Sequence, residues 1–278
     1  MVYFVFDLDL TLADLTGLYR SIETKTENTP EYTTFIQSLA NNELDIFSTS
    51  SSVQKGLLRP NILTYMIQIL ELKLTGQCKG VIIYSNNLFL KSLHVVRDVL
   101  INCMDQLLES SIPIDQLQSL FCLCIHRRYQ GRPTNTDDPP KTWDELSRIM
   151  LSNKDVCGID RNTVEINKEH IYFFDDRVPA HAIKNELPPG HYVQVEPYIR
   201  SKSSYSKILE LNAETITPVI NSMLKNTNRS NTIIPLSPVT GGRHTQYTVR
   251  NRIKQKKQQR KHKYSKKQRQ KRGKKSSS

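Results

Sequence analysis

The sequence predicts an α/β fold, an open parallel sheet with helices on both of its faces. Two observations lead there. Short apolar runs of strand length alternate with longer stretches whose apolar residues recur at helical spacing, the pattern of βα units. Three of those apolar runs also stop at chemically capable polar residues, as strands do at the ligand-binding edge of an open parallel sheet.

Taken in order, Val2–Phe6 is β-branched and aromatic and ends at Asp7, which reads as a buried strand. Residues 13–56 are mixed and polar, with a Ser-rich stretch at Ser48–Ser52, and read as a flap or small insert. From Leu57 to Leu74, the residues Leu58, Ile62, Met66, Ile69 and Leu70 share one helical face, with Gly76 as a stop. Val81–Tyr84 is a second strand. Asn87 is placed to cap the next helix, where Leu93, Val96, Leu100, Met104 and Leu107 keep the period. Leu120–Ile125 is a third strand and runs into His126-Arg127-Arg128. After a Pro-, Asp- and Thr-rich loop, Thr142 and Glu145 have the spacing of a capping box, so a helix starts just after Lys141. Ile171–Phe174 is a fourth strand, ending in Asp175-Asp176, and Tyr192–Val195 a short fifth. Weak helical character continues to about Leu224.

Charge divides the chain. Of 39 Lys and Arg residues, 16 lie from Arg243 onward with no Asp or Glu among them, leaving 23 basic against 27 acidic residues before that point. A mildly acidic domain over residues 1–225 is therefore expected to carry a basic tail, 226–278. The tail is too poor in apolar residues to offset the entropy of ordering, so it is expected to be disordered. Its Lys/Arg run, 243–275, suits nucleic-acid phosphates or a nuclear signal. The five cysteines, Cys78, Cys103, Cys122, Cys124 and Cys157, are odd in number and scattered. They read as reduced thiols in an intracellular protein of the cytoplasm or nucleus, with Cys122 and Cys124 on one strand face. No apolar stretch approaches the ~20 residues of a membrane span. Asp7 and Asp9 interrupt the first apolar run, which excludes a signal peptide there. A monomer is expected.

The strand ends bring together residue types that suit phosphoryl transfer. A carboxylate can attack phosphorus and form an acyl-phosphate, the role expected of Asp7. An acid two residues on, Asp9, can protonate the leaving oxygen and later deprotonate water. Carboxylates crowded around a phosphate need a hard cation with oxygen ligands, and Mg²⁺ is expected on Asp7, the Asp9 carbonyl, Asp175 and Asp176. Ser85 and Lys141, with Thr11 and Asn86 beside them in sequence or in role, form the expected phosphate-binding set. Plainer readings compete. An Asp at a strand end is often a turn former, Ser85 a cap, Lys141 a solvated residue, Asp176 a partner for Arg177, and Arg127 and Arg128 a solvated strand end.

These residues resemble a known family. Phe6-Asp7-Leu8-Asp9-Leu10-Thr11-Leu12 is similar to the first motif of the haloacid-dehalogenase-type (HAD) phosphatases. Ser85 resembles the second motif, Lys141 the third and Asp175-Asp176 the fourth, in the right order. The resemblance covers roughly residues 1–200 and is greatest to the branch of the RNA polymerase II C-terminal-domain and NLI-interacting-factor phosphatases. Arg59-Pro60, the basic strand end His126-Arg127-Arg128 and the run Asp175-Asp176-Arg177-Val178-Pro179 look like features of that branch. The family implies a Rossmannoid sheet and a Mg²⁺-dependent phosphatase with an aspartyl-phosphate intermediate, often acting on phosphoserine or phosphothreonine in proteins. Two departures stand out: Ser85 replaces the more usual Thr, and residues 13–56 exceed a minimal flap. Competing functions are a nucleic-acid 3′-end phosphatase and a catalytically silent binding module.

Overall fold

The computed structural model describes residues 1–49, 56–130, 132, 140–177 and 182–199. The expected disorder of 226–278 and the helical character toward Leu224 lie outside these residues. In chain order the elements are β1 (Val2–Phe6), α1 (Tyr19–Glu23), α2 (Pro30–Thr49), α3 (Ile62–Leu74), β2 (Cys78–Tyr84), α4 (Leu90–Leu107) and α5 (Ile114–Ser119). They continue with β3 (Phe121–Ile125), α6 (Trp143–Ser152), α7 (Lys154–Cys157), a 3-10 turn at Lys168–His170, β4 (Ile171–Asp175), α8 (Ile183–Glu186) and β5 (Tyr192–Gln194). The end of α2, from Leu44, belongs to a second compact unit, whereas all five strands and the other helices belong to the first.

The five strands form one parallel sheet in the order β3-β2-β1-β4-β5. A parallel sheet must be covered on both faces, and β1 shows how the sequence achieves this. Tyr3 and Val5 join Tyr84, Phe173 and the α6 residues Leu146 and Ile149 in one cluster. Phe4 and Phe6 point the other way and are equally buried, with Phe6 stacked on Phe174 at 4.7 Å between ring centres. On that side α3 and α4 pack against β2 and β3. Each buried aromatic contributes about 2–3 kcal/mol.

Several expected punctuation marks have the expected geometry. Gly76 takes φ +75° and ends α3, with its N–H on the Lys73 carbonyl and the Gln77 N–H on that of Leu72, the paired bonds of a Schellman cap. Thr142 caps α6 by accepting from the Glu145 N–H at 3.2 Å. Others differ. The helix expected from Leu57 starts at Ile62, because Leu57–Arg59 is occupied in pairing with Leu12–Asp14. That pairing closes the base of the insert, and Glu43 seals it by accepting from the Leu57 and Leu58 N–H groups. Asn87 does not cap α4, which begins at Leu90; its Oδ1 instead accepts from the Phe89 N–H in a local turn.

Cys122 and Cys124 do not share a face. The β2–β3 register shifts between Val81 and Ile82, so that Cys122 is the extra residue of a β-bulge. Cys122 and Leu123 consequently both face the α6–α7 cluster, whereas the Cys124 thiol lies beside Arg97 of α4. The bulge also requires Gly80, where a Cβ would come within 2.7 Å of the Leu120 carbonyl oxygen. Among the described residues all five cysteines are free thiols, and burial pushes those of Cys78, Cys124 and Cys157 up to about 12. No described helix is long and apolar enough to cross a membrane.

Candidate active site at the switch point of the sheet

The chain leaves β1 toward β2 and β3, then returns across β1 to lay β4 on its other side. A crevice opens at the carboxyl ends of two strands whose connections diverge in this way, and here those strands are β1 and β4. The β1–β4 ladder runs one residue past β1, with the Asp7 N–H on the Phe174 carbonyl at 2.8 Å. Asp7 is thereby held beside Asp175.

Asp7, Asp175 and Asp176 each offer a carboxylate oxygen, and these atoms lie within 4.8 Å of one another. Lys141 joins them from the residue before the α6 cap. Its Nζ donates to Asp7 Oδ1 at 2.7 Å and to Asp175 Oδ2 at 2.8 Å. The ammonium is 1% exposed and sits between the rings of Tyr84 and Phe173, 5.8 and 5.6 Å from their centres. This is far from a solvated lysine. Thr11 donates to Asp176 Oδ1 at 3.0 Å, and the Arg177 N–H donates to Asp175 Oδ1.

The electrostatics follow from burying carboxylates around Lys141, which bonds Asp7 and Asp175. Burial raises Asp7 to about 7; Lys141 opposes this, and Asp175 and Asp9 add to it. Burial works against the charge on Lys141, but Asp7 and Asp175 outweigh it and strengthen its hold on the proton. Burial also raises Asp176, against its bond from Thr11. The shifts of Asp7 and Lys141 point different ways for a simple ion pair, yet both are satisfied together. The ammonium stays charged, while burial makes Asp7 hold its proton more tightly than an exposed carboxyl does.

Asp9 is set apart from this cluster. Its Oδ2 accepts from Ser85 Oγ at 3.1 Å, its Oδ1 from the Tyr19 hydroxyl at 3.0 Å, and both oxygens from Asn87 Nδ2 at 3.3 Å. Ser85 Oγ in turn accepts from the Asn87 N–H. Beside them, Asn86 Oδ1 accepts from Arg132 at 2.7 Å. The structure thus gathers Asp7, Asp175, Asp176, Lys141 and Thr11 in one group and Asp9 with Ser85 in an adjoining one.

The loop carrying these residues is shaped by its apolar positions. Leu8 and Leu12 are fully buried anchors, and the chain between them turns tightly enough to put Leu10 at φ +60°. That conformation costs a non-glycine residue about 1–2 kcal/mol. Arg59 offsets it by donating to the carbonyl oxygens of Leu10, Thr11 and Glu196, while the Tyr198 N–H donates to Leu10 as well. Burial lowers Arg59 to about 10, against the charge of Asp176.

Tyr19, Asn87 and Arg132 are site residues that sequence reasoning did not assign. Asn87 carried a signal, since it follows a strand end at the spacing that returns it to the side of Ser85. Tyr19 carried none beyond being an aromatic residue in a polar insert, and Arg132 none at all. The chain matches no protein-family model, no curated protein and no solved structure.

Proposed function

We propose that this protein is a Mg²⁺-dependent phosphomonoester hydrolase that works through a phosphorylated Asp7. One observation carries the reading: a buried lysine bridges two of three convergent carboxylates at the switch point of a parallel sheet. Three convergent acids, two of them bridged by Lys141, fit a hard divalent cation, which Asp7, Asp175 and Asp176 would hold. Bound there, Mg²⁺ supplies positive charge that offsets the phosphoryl oxygens.

The chain's own groups account for the remaining chemistry. Lys141 engages Oδ1 of Asp7, which fixes the carboxylate's rotation and makes Oδ2 the atom to attack phosphorus. As that O–P bond forms, the ester O–P bond breaks and the departing oxygen takes a proton from Asp9. Water then attacks the phosphorus of the acyl-phosphate, giving its proton to Asp9 and releasing phosphate and the Asp7 carboxylate. Ser85, Asn87 and Tyr19 orient Asp9 for both transfers. Lys141 stays charged throughout and stabilises the transferring group. The substrate class we propose, phosphoserine or phosphothreonine in a protein, rests on the resemblance of the motifs at Asp7 and Asp175 to the C-terminal-domain phosphatase branch.

Hydrolysis of an aryl phosphate tests the activity. Turnover is expected with Mg²⁺, to be lost with a chelator and in Asp7→Asn. A folded wild-type protein that shows no turnover in Mg²⁺ refutes the reading. A preference for 3′-phosphorylated oligonucleotide over phosphopeptide would keep the chemistry and overturn the substrate class.

A further inference from the structure

Arg132 is a buried cation with no part in the proposed chemistry. It lies between β3 and α6 and is 5% exposed. Its Nη1 donates to the Ser85 carbonyl oxygen at 2.8 Å and its Nη2 to Asn86 Oδ1 at 2.7 Å. Its Nε pairs with Glu145 in the first turn of α6, and its guanidinium carbon lies 4.7 Å from the centre of the Tyr84 ring. Three edges of one planar fork are thus used on the end of β2, the loop after it and α6.

Pairing with Glu145 would by itself keep this charge from being stranded. The other two contacts do something different, because they address the one loop that carries Ser85 and Asn86. In a trans peptide the C=O and the following N–H point in opposite directions. Drawing the Ser85 carbonyl toward the guanidinium therefore turns the Asn86 N–H away from it. Holding Asn86 Oδ1 the same way sets the direction of that side chain's NH₂. The Glu145 contact ties this loop to the first turn of α6, whose cap, Thr142, directly follows Lys141.

We propose that Arg132 is a positioning residue: it fixes the donors of the Ser85–Asn86 loop at a set distance from Lys141, so that both meet the same phosphoryl group. This rests on the phosphomonoesterase reading. Lysine could not substitute, since a point charge cannot hold three acceptors in a plane.

Inorganic phosphate, titrated in Mg²⁺ and used as an inhibitor of aryl phosphate turnover, is the probe. Arg132→Ala strands Glu145 and risks misfolding, so the deciding variant is the double substitution Arg132→Met with Glu145→Leu, which leaves no unpaired buried charge. It is expected to melt close to wild type while binding phosphate roughly tenfold or more weakly, with a raised KM and a lowered kcat. Arg132→Lys is expected to be impaired in the same direction. A folded double variant, or a lysine variant, with wild-type phosphate affinity and kcat/KM overturns the assignment. A wild-type protein that neither binds phosphate nor turns over defeats the phosphatase reading itself, so the two failures are distinguishable.

Discussion

Replacing Asp7 with asparagine should make the metal-free protein more stable while removing its activity. The folded protein holds a proton on Asp7 up to about pH 7, whereas an unfolded chain releases it near 3.8. The sign follows directly. The folded state binds the proton more tightly, so stability is highest below pH 3.8, falls as pH rises and has lost the whole contribution above about 7. An affinity displaced that far corresponds to roughly 4 kcal/mol as an upper bound. Asparagine keeps the shape and an acceptor for Lys141 but loses about 1–2 kcal/mol of charge assistance in that bond. The net gain expected at pH 8 is about 2–3 kcal/mol, or roughly 5–10 °C in Tm for a domain of this size. At pH 5 the folded carboxyl is already neutral while the unfolded one is mostly ionised, so the gain should shrink to about 1–2 kcal/mol. Thermal or urea unfolding in EDTA at the two pH values measures both. An Asp7→Asn variant that is destabilised equally at pH 5 and pH 8 would show that Asp7 is not held under electrostatic strain. Mg²⁺ should reverse the ranking, stabilising wild type more than the variant.

Lys141→Met should be the opposite case, losing about 3–5 kcal/mol at pH 8 because Asp7 and Asp175 are left without their counter-ion, and losing less at pH 5; unfolding at the two pH values in EDTA checks it. Its turnover of aryl phosphate should fall by about 10²-fold or more. Thr142→Ala removes the cap of the helix that Lys141 precedes, so a loss of about 1 kcal/mol in urea unfolding is expected, together with reduced kcat. Deleting residues 226–278 should leave aryl phosphate kcat/KM unchanged. If the basic run binds nucleic acid, the same deletion should abolish salt-dependent oligonucleotide binding in a filter or anisotropy assay; unchanged binding would remove the tail from that role.

The sheet was legible because each strand is a short apolar run with a polar stop, and a stop is a local signal. Val2–Phe6 and Ile171–Phe174 needed only β-branched and aromatic side chains, and their acidic ends named the edge where chemistry belongs. What failed was whatever depends on an inserted residue or a partner far along the chain. Alternation alone puts Cys122 and Cys124 on one face, and a single-residue bulge, set by the close approach of Gly80 to the Leu120 carbonyl, reverses one of them. Likewise Asn87 has a capping residue's composition, but the N–H it serves is that of Phe89, and its amide nitrogen reaches back to Asp9.

The candidate site divides along the same line. Asp7, Asp175 and Lys141 follow from strand ends and a capping box, since topology alone brings the ends of β1 and β4 and the start of α6 together. Their surroundings do not follow, because they come from segments with no periodicity. The insert supplies Tyr19, and the loop before α6 supplies Arg132. Arg59 is the instructive case. Arg-Pro before a helix is visible in the sequence, but its purpose lies forty-eight residues earlier, in holding the Thr11 carbonyl of a loop bent through a left-handed leucine. A backbone conformation that costs about 1–2 kcal/mol persists only if the surroundings over-determine it. An arginine on three carbonyls, with Leu8 and Leu12 buried on either side, does that here. Asp7→Asn leaves this scaffold untouched, so its loss of activity would report the carboxylate; Arg59→Met should displace Asp9 and Thr11 together while leaving every acidic residue in the chain.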